Sequence, residues 1–470
     1  MSYGCQQDVL KLDCFEQRVV EYISRQANSL ANCAIYALKR SSRQAGQIDF
    51  NYYDLDKHLK QNKNYKNLFS QVAQQTLMSV CEAFKSHYEV MQLWYSGGLE
   101  DKPKMPRYRK SGGMSGFTYP AQHLNFNEAI ETGLIRLPLG TETAKATGIK
   151  EIYIPAPKNI HPERIKEVRI FPRNRCFYVE WVYKRSIPPC QLNPQKALSI
   201  DPGIKNWLTC ISNMGDSFII DGKRPNFWNR TLNREVAKAA RMRNDLGEAF
   251  APFQGAGAFR PVSSAGLTPH RLAFSKTGDF FKVAHDWDAK RPHKGYWSKK
   301  LGLMTEKRNR RMRDYINRIS RYIANYCINS GIGTVVFGWN QGIKNGSNLG
   351  KKNNQNFVQL PTAKLKQRLK VVLSEIGVNF VEVSEAYTSK ASFLDGDFIP
   401  EYGNKPKNWK PSGKRIATKL YRTAKGWIIN ADSNAAANIL KVASIPGVDL
   451  GEIARGSVTC PVRLNLYAQV

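Results

Sequence analysis

Apolar positions along the first hundred residues fall into helical periods. Residues 1–12 read as one short strand. From about Glu16 to Leu99 the apolar residues recur at three- and four-residue spacing, as on helices with one buried face. Val19, Ile23, Leu30, Ile35 and Leu38 mark the first helix. Val72, Leu77, Val80, Phe84, Tyr88 and Met91 mark a second, over about Ser70 to Trp94, and polar Asn, Lys and Tyr fill the segment between them. After Lys102 the pattern shortens. GLIRLPL and EIYIPAP are strands bounded by turn residues, and Glu167–Phe171 and Cys176–Tyr183 flank a PRNR turn as a hairpin. Residues 1–12 and 102–192 therefore predict a β-domain, with 13–101 as a helical insertion.

The second half alternates strand and helix. Ala197–Ile200 is an apolar strand running into Asp201, and Trp207–Ile211 with Ser217–Ile220 continues it as a meander. A long basic helix from about Ser298 to Asn329 turns Leu301, Met304, Met312, Ile316, Ile319 and Ile323 inward. Strand Thr334–Phe337, helix Ala363–Ile376, strand Val378–Val383 and helix Ser433–Val442 follow. This order predicts an α/β unit with a mixed sheet. Residues 239–293 are rich in Gly, Pro, Ala and Phe without periodicity and read as an irregular insertion; 446–470 read as a C-terminal tail.

Charge changes what this fold is for. Seventy-one Lys plus Arg stand against 38 Asp plus Glu, a net charge of +33. Such an excess repels itself unless a polyanion neutralises it, and released counterions drive phosphate binding. In the loop KPKMPRYRKSGG, Arg107, Arg109 and Lys110 are placed to neutralise phosphate while Tyr108 stacks on a base; a solvated linker is the equal alternative. Arg308, Arg310, Arg311 and Arg313 on the long helix are the other candidates for backbone contact. The nine cysteines form no CxxC pair, the N-terminus has no secretory pattern, and no apolar run reaches the roughly 18 residues of a membrane helix. A cytoplasmic, nucleoid-associated protein with no membrane partner is expected. The stretch 346–352 is one residue short of a P-loop and has Lys where Ser or Thr would hold Mg²⁺, and the histidines lack HxxxH spacing. Nucleotide hydrolysis and a zinc-hydrolase site are set aside.

Three carboxylates stand next to apolar elements: Asp201 in LSIDPGIKNWLT, Glu385 in VEVSEAYTSKAS and Asp432 in INADSNAAANIL. Each alone is more often a turn or cap residue. Together, in an α/β context on a strongly basic chain, they describe a site where divalent cations relieve carboxylate repulsion and support phosphodiester hydrolysis.

Ile-Asp-Pro-Gly with its meander resembles the first motif of RuvC-type nucleases. AYTSKAS followed by ADSNAAANIL resembles the last part of TnpB, the transposon-encoded relative of type V CRISPR effectors. The likeness spans about 195–445, and less specifically the N-terminal domains. It implies an RNase H-like RuvC domain over 193–388 and 431–445, preceded by a wedge-type β-barrel domain with a helical recognition insertion. It also implies a target-nucleic-acid-binding insertion at 389–430. Two departures matter. Gly338 stands where the family has a Glu at the end of the second-motif strand, and Glu385 on the neighbouring strand is the replacement, ahead of Glu382. Residues 388–430 contain no cysteine, so no structural zinc is expected. Asp395 and Asp397 there read as turn formers, and Lys414, Arg415, Lys419 and Arg422 as contacts to a target strand.

What the resemblance implies is an RNA-guided DNA endonuclease of monomeric habit. Its partners would be a guide RNA and target double-stranded DNA. Asp201, Glu385 and Asp432 would hold two Mg²⁺ ions, with Mn²⁺ as a substitute. Two alternatives stand beside it: a guided DNA-binding protein without cleavage, and an unguided RNase H-like nuclease or transposase.

Overall fold

The computed structural model of the 470-residue chain describes residues 2–45, 51–174, 176–185, 190–249, 299–340 and 359–467. Two compact units are formed: Met1–Ser186 with Leu246–Leu303, and Ile187–Asp245 with Met304–Val470.

In the first unit β1 (Ser2–Val9) pairs antiparallel with β6 (Cys176–Arg185). β5 (Ile165–Arg173) and β2 (Phe117–Pro120) complete a four-stranded sheet of order β1-β6-β5-β2. The predicted hairpin is β5–β6. Pairing of the chain's first strand with its sixth makes the helices between them an insertion. Those are α1 (Cys14–Ala45), α2 (Tyr52–Leu59), α3 (Lys63–Lys66) and α4 (Ser70–Tyr95). Val19, Ile23, Leu30, Ile35 and Leu38 are all buried, as the period requires. The stretch read as polar filler is helical because Asn51 and Asn62 cap α2 and α3, accepting from the N–H groups of Tyr53 and Asn64. On α4 the buried stripe stops at Phe84, and Tyr88 is 50% exposed, so the last turns leave the core. β3 (Leu134–Pro138) and β4 (Glu151–Pro155) make a separate antiparallel ladder flanked by α5 (Phe126–Thr132) and α6 (Thr141–Thr147). Among the described residues the first unit thus holds one four-stranded sheet and one two-stranded ladder.

The second unit is built on a mixed six-stranded sheet, order β11-β10-β7-β8-β9-β15. β7 (Asn193–Pro202), β8 (Asn206–Ser212) and β9 (Ser217–Asp221) are the predicted meander. β10 (Ile332–Gly338) runs parallel to both β7 and β11 (Asn379–Val383). The segment 446–470, read as a tail, holds a short helix at Arg455–Thr459 and β15 (Val462–Leu464), which extends the sheet parallel to β9. Three strand residues are too few to leave a period. Helix α7 (Lys223–Ala249) covers the first residues of the stretch read as irregular; the rest of 239–293, like 346–352, lies outside the described residues.

Alternation along β7 divides the two faces. Leu198 and Ile200 pack with Met312, Ile316, Ile319 and Ile323 of α8 (Lys299–Ser330) and Leu365, Leu369 and Leu373 of α9 (Thr362–Glu375). Ala197 packs on the other face, against α10 (Ala431–Ala443). Ser199 shares that face and donates its Oγ–H to the Ala436 carbonyl at 2.7 Å. A backbone carbonyl this close to a strand side chain requires small residues on the helix, and Ala435, Ala436 and Ala437 supply them at 3% exposure or less. Ala436→Leu should therefore overpack the interface by about 1–3 kcal/mol, read as a lower denaturant midpoint for this unit.

Candidate active site

By the same alternation Asp201 follows Ala197 and Ser199 onto the α10 face, at the C-terminal end of β7. Pro202 and Gly203 turn the chain at once. A Cβ on Gly203 would lie 2.4 Å from the Asn206 carbonyl oxygen, so only glycine permits this turn. β10 and β11 end at the same level, and Asn340 and Glu385 follow them by two residues each. Asn340 fixes Glu385: its Oδ1 accepts from the Glu385 N–H at 3.2 Å, and its Nδ2 donates to Oε1 at 3.4 Å. Thr388 Oγ1 donates to the Glu385 carbonyl at 2.8 Å. Asp432 lies in the first turn of α10, where the Asn430 side chain caps its N–H at 3.0 Å. Its Oδ2 accepts from Asn206 Nδ2 at 2.7 Å, and its Oδ1 from Arg415 at 3.0 Å.

Asp201, Glu385 and Asp432 line one cavity of about 610 Å³, with Lys205, Arg415 and Lys419. Burial, then the charges of Glu385 and Asp432, push the Asp201 carboxyl well above its usual range, and Arg415 opposes them. Burial raises Glu385 to about 7. The donor set is all oxygen, the type that Mg²⁺ and Mn²⁺ take. Among the described residues no three such side chains stand close enough to hold one ion, and Asp432 is engaged with Asn206 and Arg415. The carboxylates fit divalent cations in the chemistry of their donors and open on one cavity; to share an ion they would have to draw closer together, with Asp432 exchanging its arginine.

Gly338, at the end of β10, lies against α10 and Glu385. A Cβ on Gly338 would meet Ile439 Cδ1 at 2.5 Å and Glu385 Cβ at 3.5 Å. The tip of Ile439 on α10 thus occupies the space next to position 338, and the Glu385 Cβ lies within contact distance of it. Glu382, one register position from Gly338 on the partner strand, is exposed and ion-paired with Lys366.

The cationic candidates divide by what they already touch. Arg308 is half-buried and donates to Asn229 Oδ1 at 2.8 Å through Nε, and to Asn309 Oδ1 at 2.9 Å. Arg313 is partly buried, whereas Arg310 and Arg311 are exposed. In the 102–113 loop Arg109 is anchored by its backbone, exchanging hydrogen bonds with the Asn32 side chain at 2.7 and 3.1 Å. Arg107 and Lys110 are exposed, and the half-exposed Tyr108 ring carries the Lys39 ammonium 4.6 Å from its centroid. Lys414, Lys419 and Arg422 are exposed on or beside a three-stranded sheet, β12 (Lys414–Ala417), β13 (Leu420–Arg422) and β14 (Ile428–Asn430). Asp395 and Asp397 tie that insert together. Asp395 Oδ2 accepts from Ser392 Oγ, Ser412 Oγ and the Ala424 N–H at 2.6, 3.2 and 2.7 Å, and Asp397 Oδ2 from the N–H groups of Ser392 and Ser412. They do more than form a turn: they join three segments of a cysteine-free insert. Asn206 and Asn340 were missed from sequence. Only their places, just after Asp201 and just after β10, could have pointed to them.

No family model and no curated protein matches the chain. Solved structures do. A Cas12f1–sgRNA–target DNA complex has 15% identity and a TM-score of 0.46, covering 90% of this chain and 82% of that one. The mini-RNA-guided endonuclease CRISPR-Cas_phi3 has 12% identity and a TM-score of 0.45, covering 96% and 93%. CasPhi-2 (Cas12j) bound to crRNA and phosphorothioate DNA has 12% identity and a TM-score of 0.41, covering 96% and 92%. At such identities and TM-scores the function has to be read from the site itself.

A carboxyl raised from 4.5 to about 7 favours its protonated form in the fold, so stability is lost as pH rises through that window. Glu385→Gln mimics the protonated form. In a metal-free buffer it should melt about 2 °C or more above the wild type at pH 8, and the gap should close toward pH 4.5. An equal gap at both pH values would count against the strained carboxylate.

Proposed function

We propose that the protein is an RNA-guided DNA endonuclease that hydrolyses phosphodiester bonds at Asp201, Glu385 and Asp432. The observation that carries the reading is the convergence of these three carboxylates at strand ends and a helix start, in one cavity, on a chain of +33. A site for binding alone has no use for half-buried carboxylates set beside one another. We assign the unit to the RuvC type and the chain to the TnpB kind, with the first unit as its wedge and recognition domains. Guidance by RNA follows from that resemblance, because base pairing then reads the target and the protein holds backbone.

In this reading Asp201, Glu385 and Asp432 hold divalent cations, and no zinc is needed. The cations, when bound, acidify the attacking water and stabilise the leaving oxygen. The chain's own residues do the rest. Asn340 keeps the Glu385 carboxylate aimed into the cavity, and Asn206 orients that of Asp432. Lys205 and Lys419 supply positive charge to the scissile strand, and Arg415 joins them once it leaves Asp432.

The protein copurified with its own RNA should cut a guide-matched plasmid in Mg²⁺, and removal of Mg²⁺ by EDTA should stop it. Asp201→Ala and Glu385→Ala should bind the same plasmid and give no product above background. Wild-type protein that binds matched DNA and never cuts it would make this a guided binder. Cleavage that persists after the RNA is removed would make it an unguided nuclease.

A further inference from the structure

A second concentration of chemistry lies between α7, α8 and the C-terminal segment, in a groove of about 670 Å³. None of its lining residues lines the carboxylate cavity. Arg224, Phe227 and Trp228 fall on one face of α7 at i, i+3 and i+4, and Lys307, Arg310, Arg311 and Asp314 on one face of α8. The floor is rigid. Tyr467 stacks on Tyr315 at 5.5 Å and 13°, meets Trp228 edge-on, and donates its hydroxyl to Asp314 at 2.9 Å. Arg224 and Arg318 lie 4.5 and 4.8 Å from the Tyr467 ring centroid.

Two features of this groove have no internal use. Phe227 is 56% exposed beside a wall of packed aromatics. Lys307, Arg310 and Arg311 are exposed and have no ion pair among the described residues. Asp314, the acidic lining residue, is already paired with Arg318 at 3.0 Å. A solvated helix face accounts for cations alone, and a stray surface aromatic is ordinary. A flat apolar ring framed by three cations without an ion pair, on a preorganised floor, matches a ligand that is aromatic and anionic at once. A nucleic-acid strand with an unstacked base is such a ligand, because every base offers a π-face and every linkage a phosphate.

We infer that this groove is a single-strand binding site, with an unpaired base stacked on Phe227 and the flanking phosphates on Arg310 and Arg311. The inference rests on the nucleic-acid reading for the class of ligand, and not on cleavage.

The test uses the full chain carrying Asp201→Ala, so that bound strands stay intact, and short single-stranded DNA and RNA containing 5-iodouracil. Photocrosslinks should map to Phe227, Trp228 or Tyr467, and the strand that gives them names the source. Phe227 is exposed, so Phe227→Ala leaves the fold in place, checked by an unchanged melt. It should weaken binding about five- to tenfold with the salt dependence unchanged. The double variant Arg310→Gln/Arg311→Gln should lower the salt slope by about 1.4, at about 0.7 per lost phosphate on a single strand. Wild-type affinity in both variants, with crosslinks only elsewhere, overturns the groove and leaves the nuclease reading standing. Polyglutamate that displaces the strand at equal charge concentration, and does so less well on the arginine variant, overturns it in favour of an acidic peptide. Absence of any strand binding overturns both readings.

Discussion

Carboxyl groups withdrawn from water and set beside one another are the constraint on which the site in the second unit depends. Asp201 and Glu385 are pulled out of solvent and placed beside Asp432, and the Asp201 carboxyl is raised by its burial and by both neighbours. Left alone, such a site would splay. What holds it is the stiffness of the elements behind it: β10 is bonded on both sides, to β7 and β11, so the ends of three parallel strands move together. The third carboxylate comes from a helix, and its distance from the strands is fixed by how closely α10 lies on the sheet. Three small residues and one serine–carbonyl hydrogen bond set that distance.

The same close approach shapes the end of β10. With Ile439 packed over Gly338, a side chain at the strand end would have to displace the Ile439 Cδ1 methyl. A carboxylate can still enter the cavity from β11, whose end is level with that of β10, provided something turns it inward. Asn340 does so from the vacated strand, hydrogen bonding both the Glu385 backbone and its carboxylate. Gly338, Asn340 and Glu385 therefore work as one unit: room for the helix, an aiming amide and the acid itself.

Much of this was legible in the sequence. Ala197–Ile200, Thr334–Phe337 and Val378–Val383 are buried strands bounded by turns, and the period of α8 put Ile316, Ile319 and Ile323 in the core where they lie. Asp201, Glu385 and Asp432 could be named because each follows or precedes such an element. Less legible were features with no period or with partners distant in the chain. β15 has three residues and takes its stability from pairing with β9, more than 240 residues earlier. α2 and α3 owe their ends to asparagine caps in a segment whose composition reads as polar filler. Asn206 and Asn340 are ordinary residues until Asp432 and Glu385 are brought to them.

Charge shows the same limit more sharply. A net charge of +33 attracts polyanions, but arginines of one helix face different tasks. Arg308 spends its guanidinium on Asn229 and Asn309, joining α8 to α7, while Arg310 and Arg311, two and three residues later, face outward. Arg415 shows a third use, lying on Asp432 within a cluster of acids. The pairing balances one member of the carboxylate cluster and leaves Asp201 and Glu385 to be held by the strands behind them, so a single arginine here does a structural task that no count of charges could assign to it.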